Sequence, residues 1–162
     1  MRALDDIIER TGYFMIYREV RGFYLQPKLD QEPKKPRIDR VLVPAPSLIQ
    51  RGWRHGPIGI EGKRSGVKIG PPIAQLLDYS RAAWLVEPSK GLWVMLPWLF
   101  LWPVEKTGGP IASILAQHRV GTAEPTWNGG LKLASGEQVL VRFDDTDLRI
   151  GAGANGRKAG AR

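Results

Sequence analysis

No cysteine occurs in this chain of 162 residues, and it has only two histidines, His55 and His118, far apart in sequence. A disulfide framework and a thiolate metal site are therefore both excluded. Zinc, which wants imidazole or thiolate, has almost no ligands to choose from, so any metal would be held by oxygen. A long apolar run is missing too. The most apolar segment, Leu92 to Trp102, is interrupted by Pro97 and falls well short of the roughly 20 residues that span a bilayer. It reads as a buried strand or strand pair, or else as an interface in a homo-oligomer, and no membrane partner is expected. The first ten residues, MRALDDIIER, carry acids where an export signal would be apolar. They read as a short helix, and the protein is expected to be cytoplasmic.

What is present is positive charge. Twenty-four Lys and Arg against sixteen Asp and Glu leave a net charge of +8, which favours a polyanionic partner without specifying a fold. The basic residues between Arg18 and Arg81 make the first half the expected phosphate-facing surface. The length suits one domain over residues 1–150, and the Gly/Ala/Arg/Lys-rich segment 151–162 is expected to be a disordered basic tail.

Periodicity and punctuation give a coarse plan. Leu4 to Arg10 is helical, and Tyr13 to Val20, rich in aromatic and β-branched residues, is a strand. Residues 27–36 form a loop, Arg37 to Pro44 a strand ended by its prolines, and Gly59 to Lys63 another. Pro71 and Pro72 suit the start of a helix, with Ile73, Leu76, Leu77 and Ala83 as its apolar stripe, so that it extends to about Ala83. Trp84 to Val86 and Leu92 to Trp102 are strands, Gly109 to His118 a second helix, and Leu131 to Leu133 with Gln138 to Phe143 a hairpin. This order implies a mixed α+β fold, a central mixed sheet flanked by helices.

Glu61 and Lys63 lie two apart on a strand and so share a face. With Asp39 from a neighbouring strand, Glu61 would form an oxygen cluster fit for Mg²⁺, and a lysine beside it would offset charge developing on a phosphoryl group. A solvated ion pair would account for Glu61 and Lys63 taken alone. Gln75 and Tyr79, four apart, share a helix face.

The ordered set Asp39, Glu61-Gly62-Lys63 and Gln75-x-x-x-Tyr79 resembles the PD-(D/E)xK nuclease superfamily, in particular its RecB-like and lambda-exonuclease-like branch. The resemblance implies a restriction-endonuclease-like core of helix, three strands, helix and strand over roughly residues 1–100. It also implies an Mg²⁺- or Mn²⁺-dependent deoxyribonuclease acting on DNA. Asp39, Glu61 and the Gly62 carbonyl would be metal ligands, with Glu19 a further acid, and Lys63 would be the catalytic cation. Gln75 and Tyr79 would contact substrate, and nearby Arg64, Lys68, Trp53 and Arg54 are candidates for the same work, Trp53 by stacking on a base. The sequence departs from the named motif at Ile38, where the motif has proline, a departure common in the superfamily, and at Gly62, where a bulky apolar residue is usual. The other five tryptophans suit core packing better than stacking. Two readings stay open beside the nuclease. One is a non-catalytic basic nucleic-acid-binding protein on a nuclease-like or winged-helix scaffold; the other is a protein-interaction factor of a phage or mobile element.

Overall fold

Arg2–Thr11 forms α1 because Leu4, Ile7 and Ile8 recur at helical spacing and are all buried, and because Gly12, at φ 66°, ends the helix by taking the left-handed conformation. The chain then enters an antiparallel meander: β1 (Phe14–Tyr24), β2 (Arg37–Pro44), a short α2 (Pro46–Gln50) and β3 (Ile58–Gly62). The computed structural model describes residues 1–25, 35–63, 68, 70–104, 110–151 and 157–158.

α3 (Gly70–Tyr79) takes Pro71 and Pro72 into its first turn, as expected. It stops at Tyr79, short of Ala83, because Ala82 already pairs with Tyr24 and opens β4 (Ala82–Glu87). Ladder hydrogen bonds to β1 outcompete a further helical turn. β5 (Leu92–Met95) folds back on β4 at the outer edge of the sheet. After Pro97 the chain returns to the centre, where β6 (Trp98–Trp102) lies parallel to β3. The apolar run is therefore divided: Leu99 to Trp102 are core, whereas Leu92, Trp93 and Met95 are exposed.

α4 (Pro110–Gln117) leads into β7 (Val120–Pro125), parallel to β6, and β8 (Leu131–Ser135), β9 (Gln138–Phe143), β10 (Leu148–Ile150) and β11 (Arg157–Lys158) follow antiparallel. Among the described residues one eleven-stranded mixed sheet results, in the order β11-β10-β9-β8-β7-β6-β3-β2-β1-β4-β5. The β8–β9 hairpin is continuous with this sheet, so it is not the free wing of a winged helix. Arg157 and Lys158, expected in a disordered tail, pair with Ile150 and Arg149; residues 152–156 and 159–162 lie outside the described ones. No helix among the described residues is long and apolar enough to cross a membrane.

Two apolar clusters cover the two faces of the sheet. On one, Leu4 and Ile8 of α1 and Leu48 of α2 pack on Leu42, Ile60, Phe100 and Phe143. On the other, Leu76 and Tyr79 of α3 and Leu115 of α4 pack on Val41, Leu99 and Leu101. The sheet curls strongly round α1. Six strand spacings separate β1 from β9, roughly 29 Å if the sheet were flat. Yet the rings of Phe14 and Phe143 lie 6.1 Å apart.

Candidate functional site

β2 and β3 form a regular ladder from Leu42↔Ile58 to Arg40↔Ile60, and then it changes. One step on, where Asp39 faces Glu61, side chains take over from backbone. The Gly62 N–H donates to Asp39 Oδ2 at 2.8 Å, and the Asp39 N–H donates to Glu61 Oε2 at 3.3 Å. β3 meanwhile keeps its bonds to β6, pairing Glu61 with Leu101 and Gly62 with Trp102. The Lys63 N–H continues that line by donating to the Trp102 carbonyl. Thus β3 is anchored on one side and opens from β2 on the other, with two carboxylates at the fork.

Gly62 is what the fork requires. A Cβ there would lie 2.8 Å from both Asp39 Oδ2 and Met1 Sδ, closer than real contacts allow. The close approach is made by the acid of the neighbouring strand and by the start of α1, which explains why a bulky residue is absent.

Helix α3 supplies the third wall. Gln75 Nε2 donates to Glu61 Oε1 at 3.1 Å and to the Tyr79 hydroxyl at 2.5 Å, and that hydroxyl donates to the Arg37 carbonyl at 2.6 Å. The i and i+4 side chains look back at β3 and β2, as their spacing implies. Tyr79 is buried edge-on against Trp84, and burial raises its hydroxyl pKa.

The electrostatics follow from crowding. Burial, then the charge of Asp39, push the Glu61 carboxyl up to about 7, with Glu19 adding in the same direction; the Asp39 N–H and Arg37 oppose them. Glu19 sits level with Asp39, between the pairs Arg18↔Arg40 and Val20↔Ile38. Its backbone is in the left-handed region at φ 52°, and its carboxylate meets Arg37 at 3.1 Å. Among the described residues no three Asp, Glu, His or Cys side chains are close enough to hold one ion together. The side-chain donors at the fork are therefore Asp39 and Glu61, and Glu19 is engaged by Arg37.

The remaining expected site residues divide. Lys63, half-buried, directly follows β3 and has no ion pair within 4 Å among the described residues. Lys68 is exposed ahead of α3, and Arg64 lies outside the described residues. Trp53 is a correction. Gly52 at φ 107° and Gly56 at φ 68° turn the loop inward, leaving the indole 2% exposed, edge-on to Phe14, with its N–H on the Gly56 carbonyl at 2.8 Å. No base can stack there. Arg54 is exposed but spends its guanidinium on the carbonyls of Ile49 and Trp53 beside the end of α2. The first half of the chain is also less free to face phosphates than its charge implies. Arg40 is buried on Asp5 at 2.7 Å, and Arg18 pairs with Asp5 and Glu9.

Sequence reading missed Arg37, whose carbonyl holds Tyr79 and whose side chain holds Glu19; alternation along a strand does not reveal which carbonyls a neighbouring helix will reach. Compared with known proteins, the chain matches no family model, no curated protein and no solved structure.

Proposed function

We propose that the chain is a metal-dependent deoxyribonuclease whose centre is the fork between β2 and β3. One observation carries the reading: Asp39 and Glu61 converge from adjacent strands, and the Gln75–Tyr79 pair of α3 reaches into the same place and holds Glu61. The order of elements supports it as well. α1, the antiparallel meander β1-β2-β3, α3 and the parallel strand β6 follow the helix, three strands, helix, strand plan of a restriction-endonuclease-like core, with the β4–β5 hairpin inserted on the outer edge.

The donors fit a hard divalent cation. Both are carboxylates; burial first, and the charge of Asp39 second, raise the Glu61 pKa, and a bound cation would offset both. Asp39, Glu61 and the Gly62 carbonyl would hold Mg²⁺ or Mn²⁺, which supplies Lewis acidity and a more acidic water. The chain's own groups do the rest. Gln75 fixes the Glu61 carboxylate by its amide, Tyr79 locks Gln75 against β2, and the Lys63 ammonium offsets charge on a DNA phosphate.

The test is cleavage of supercoiled, linear and single-stranded DNA with Mg²⁺ or Mn²⁺ by the wild type, Glu61→Gln and Lys63→Ala. The wild type is expected to cut, and each variant to lose at least a hundredfold in rate, a loss typical of a missing charge-stabilising group. Equal activity in all three proteins would remove the fork from the chemistry.

A second reading, a non-catalytic nucleic-acid-binding protein, is favoured by a separate observation: both carboxylates already accept backbone N–H groups and so tie the two strands together. Under it, DNA binding persists in EDTA and no metal gives cleavage.

A further inference from the structure

On the face of the sheet that carries Glu61, a second set of charges lies in register. Glu61 stands opposite Leu101, and Leu101 opposite Thr122. Two residues further along β7, and so on the same face, Glu124 stands opposite Lys132, Lys132 opposite Arg142, and Arg142 opposite Arg149. Three cations thus occupy one cross-strand row on β8, β9 and β10, and Lys158 continues the register on β11. Like charges directly opposite one another weaken a sheet unless each is offset. Lys132 is offset by Glu124 at 2.5 Å and Arg149 by Asp147 at 2.7 Å. Arg142, in the middle, has neither an ion pair nor a side-chain hydrogen bond among the described residues.

Beside the row lies a polar cavity of about 270 Å³, lined by Arg142, Arg149, Asn128, Asp144, Thr146 and Asp147 together with Phe143. Its rim is rigid. Asp144 Oδ1 accepts the N–H of Thr146, the Thr146 hydroxyl and the N–H of Asp147, and its Oδ2 accepts the Asn128 amide. The turn before β8 is pinned as well, since the Gly130 N–H bonds the Thr126 hydroxyl. On this fixed turn Trp127, next to Asn128, is 92% exposed.

A guanidinium with no ion pair among the described residues and an exposed indole on a pinned turn match two parts of a nucleotide, phosphate and base face. We infer that this corner binds a single strand of nucleic acid, with one unpaired base stacked on Trp127 and an adjoining phosphate on Arg142. The choice of occupant rests on the nuclease reading. A base stacked in a duplex has its faces covered, so the corner suits a single strand.

The experiment measures binding of a fluorescent 12-nucleotide single-stranded DNA by anisotropy, in EDTA and across a salt series, with a 12-base-pair duplex alongside. Trp127→Ala, at an exposed position, is expected to bind the single strand roughly five- to a hundredfold more weakly. Arg142→Gln should lower the slope of log affinity against log salt by about 0.7, one phosphate contact fewer. Circular dichroism melting confirms that each variant is folded. Absence of single-strand binding by the wild type, wild-type affinity in both corner variants, or tighter binding to duplex with Trp127→Ala neutral would each overturn the inference. The two readings fail separately. Cleavage that depends on Glu61 with no effect of Trp127 sinks the corner alone, whereas Trp127-dependent binding without cleavage in any metal sinks the nuclease alone.

Discussion

Glu61 shows how much of a site can rest on one side chain. Its carboxyl titrates near 7 in the folded protein, from an ordinary value of 4.5, because burial and the neighbouring Asp39 disfavour its charge. The folded state therefore holds this proton more tightly than the unfolded chain does. Between pH 4.5 and 7 stability should fall as pH rises, with the cost fully present above 7 and absent below 4.5. Melting curves in EDTA at pH 5 and pH 8 measure it, and Glu61→Gln should flatten the difference. Added Mg²⁺ should raise the melting temperature at pH 8 more than at pH 5; a shift equal at both would mean that the ion binds elsewhere. Trp53 and Trp127 teach the opposite lesson about residues. The Gly-flanked basic loop marks the first as free to stack on a base, and the second groups with the core tryptophans; the structure reverses both. What decided them was the path of the loop: positive-φ glycines turned one indole in, while a pinned turn left the other out.

At the scale of elements, the fork depends on β3 being shared unequally between β2 and β6. Gly62→Ala puts a methyl where Asp39 Oδ2 and Met1 Sδ already sit, and such overpacking costs about 1–3 kcal/mol. Urea denaturation should report that loss, and cleavage should fall further than stability because Asp39 is displaced directly. Much at this scale was legible in the sequence. Helical spacing located α1 and α3, the proline pair marked the first turn of α3, strand-like composition with closing prolines and turn residues placed β2, β3 and the β8–β9 hairpin, and i, i+4 spacing put Gln75 and Tyr79 on the wall that meets Glu61. The end of α3 was not legible, because Ala82 and Ala83 carry no strand signal of their own and are claimed by pairing with a strand nearly sixty residues earlier. Nor was the separation of β5 from β6. Both halves of that apolar run look alike locally, and only the topology sends one to the rim and the other to the middle. The cation row on β8 to β10 escaped for the same reason, since register across strands is a tertiary property.

For the whole molecule, the joint between α1 and the sheet is ionic. Burial alone would raise the Asp5 carboxyl, but hydrogen bonds from Arg40 and Arg18 outweigh it and hold the group below its ordinary value. A depressed carboxyl contributes stability above its unfolded pKa of 3.8 that disappears as pH falls through the folded value. Acid unfolding should therefore begin at this joint. Asp5→Asn is expected to lower stability at pH 7 by about 3–5 kcal/mol, since Arg40 is left buried without its partner, and to blunt the acid limb of a pH–stability profile. Arg40 does one thing more. While its Nε and one terminal nitrogen grip Asp5, the other donates to the carbonyl of Asp39 at 2.6 Å, so the helix is fastened to the very residue that shapes the fork. Warming that slackens the helix would also unseat Asp39, so under the nuclease reading loss of cutting and loss of structure would share one thermal ceiling, with no window in which an intact but inert protein survives.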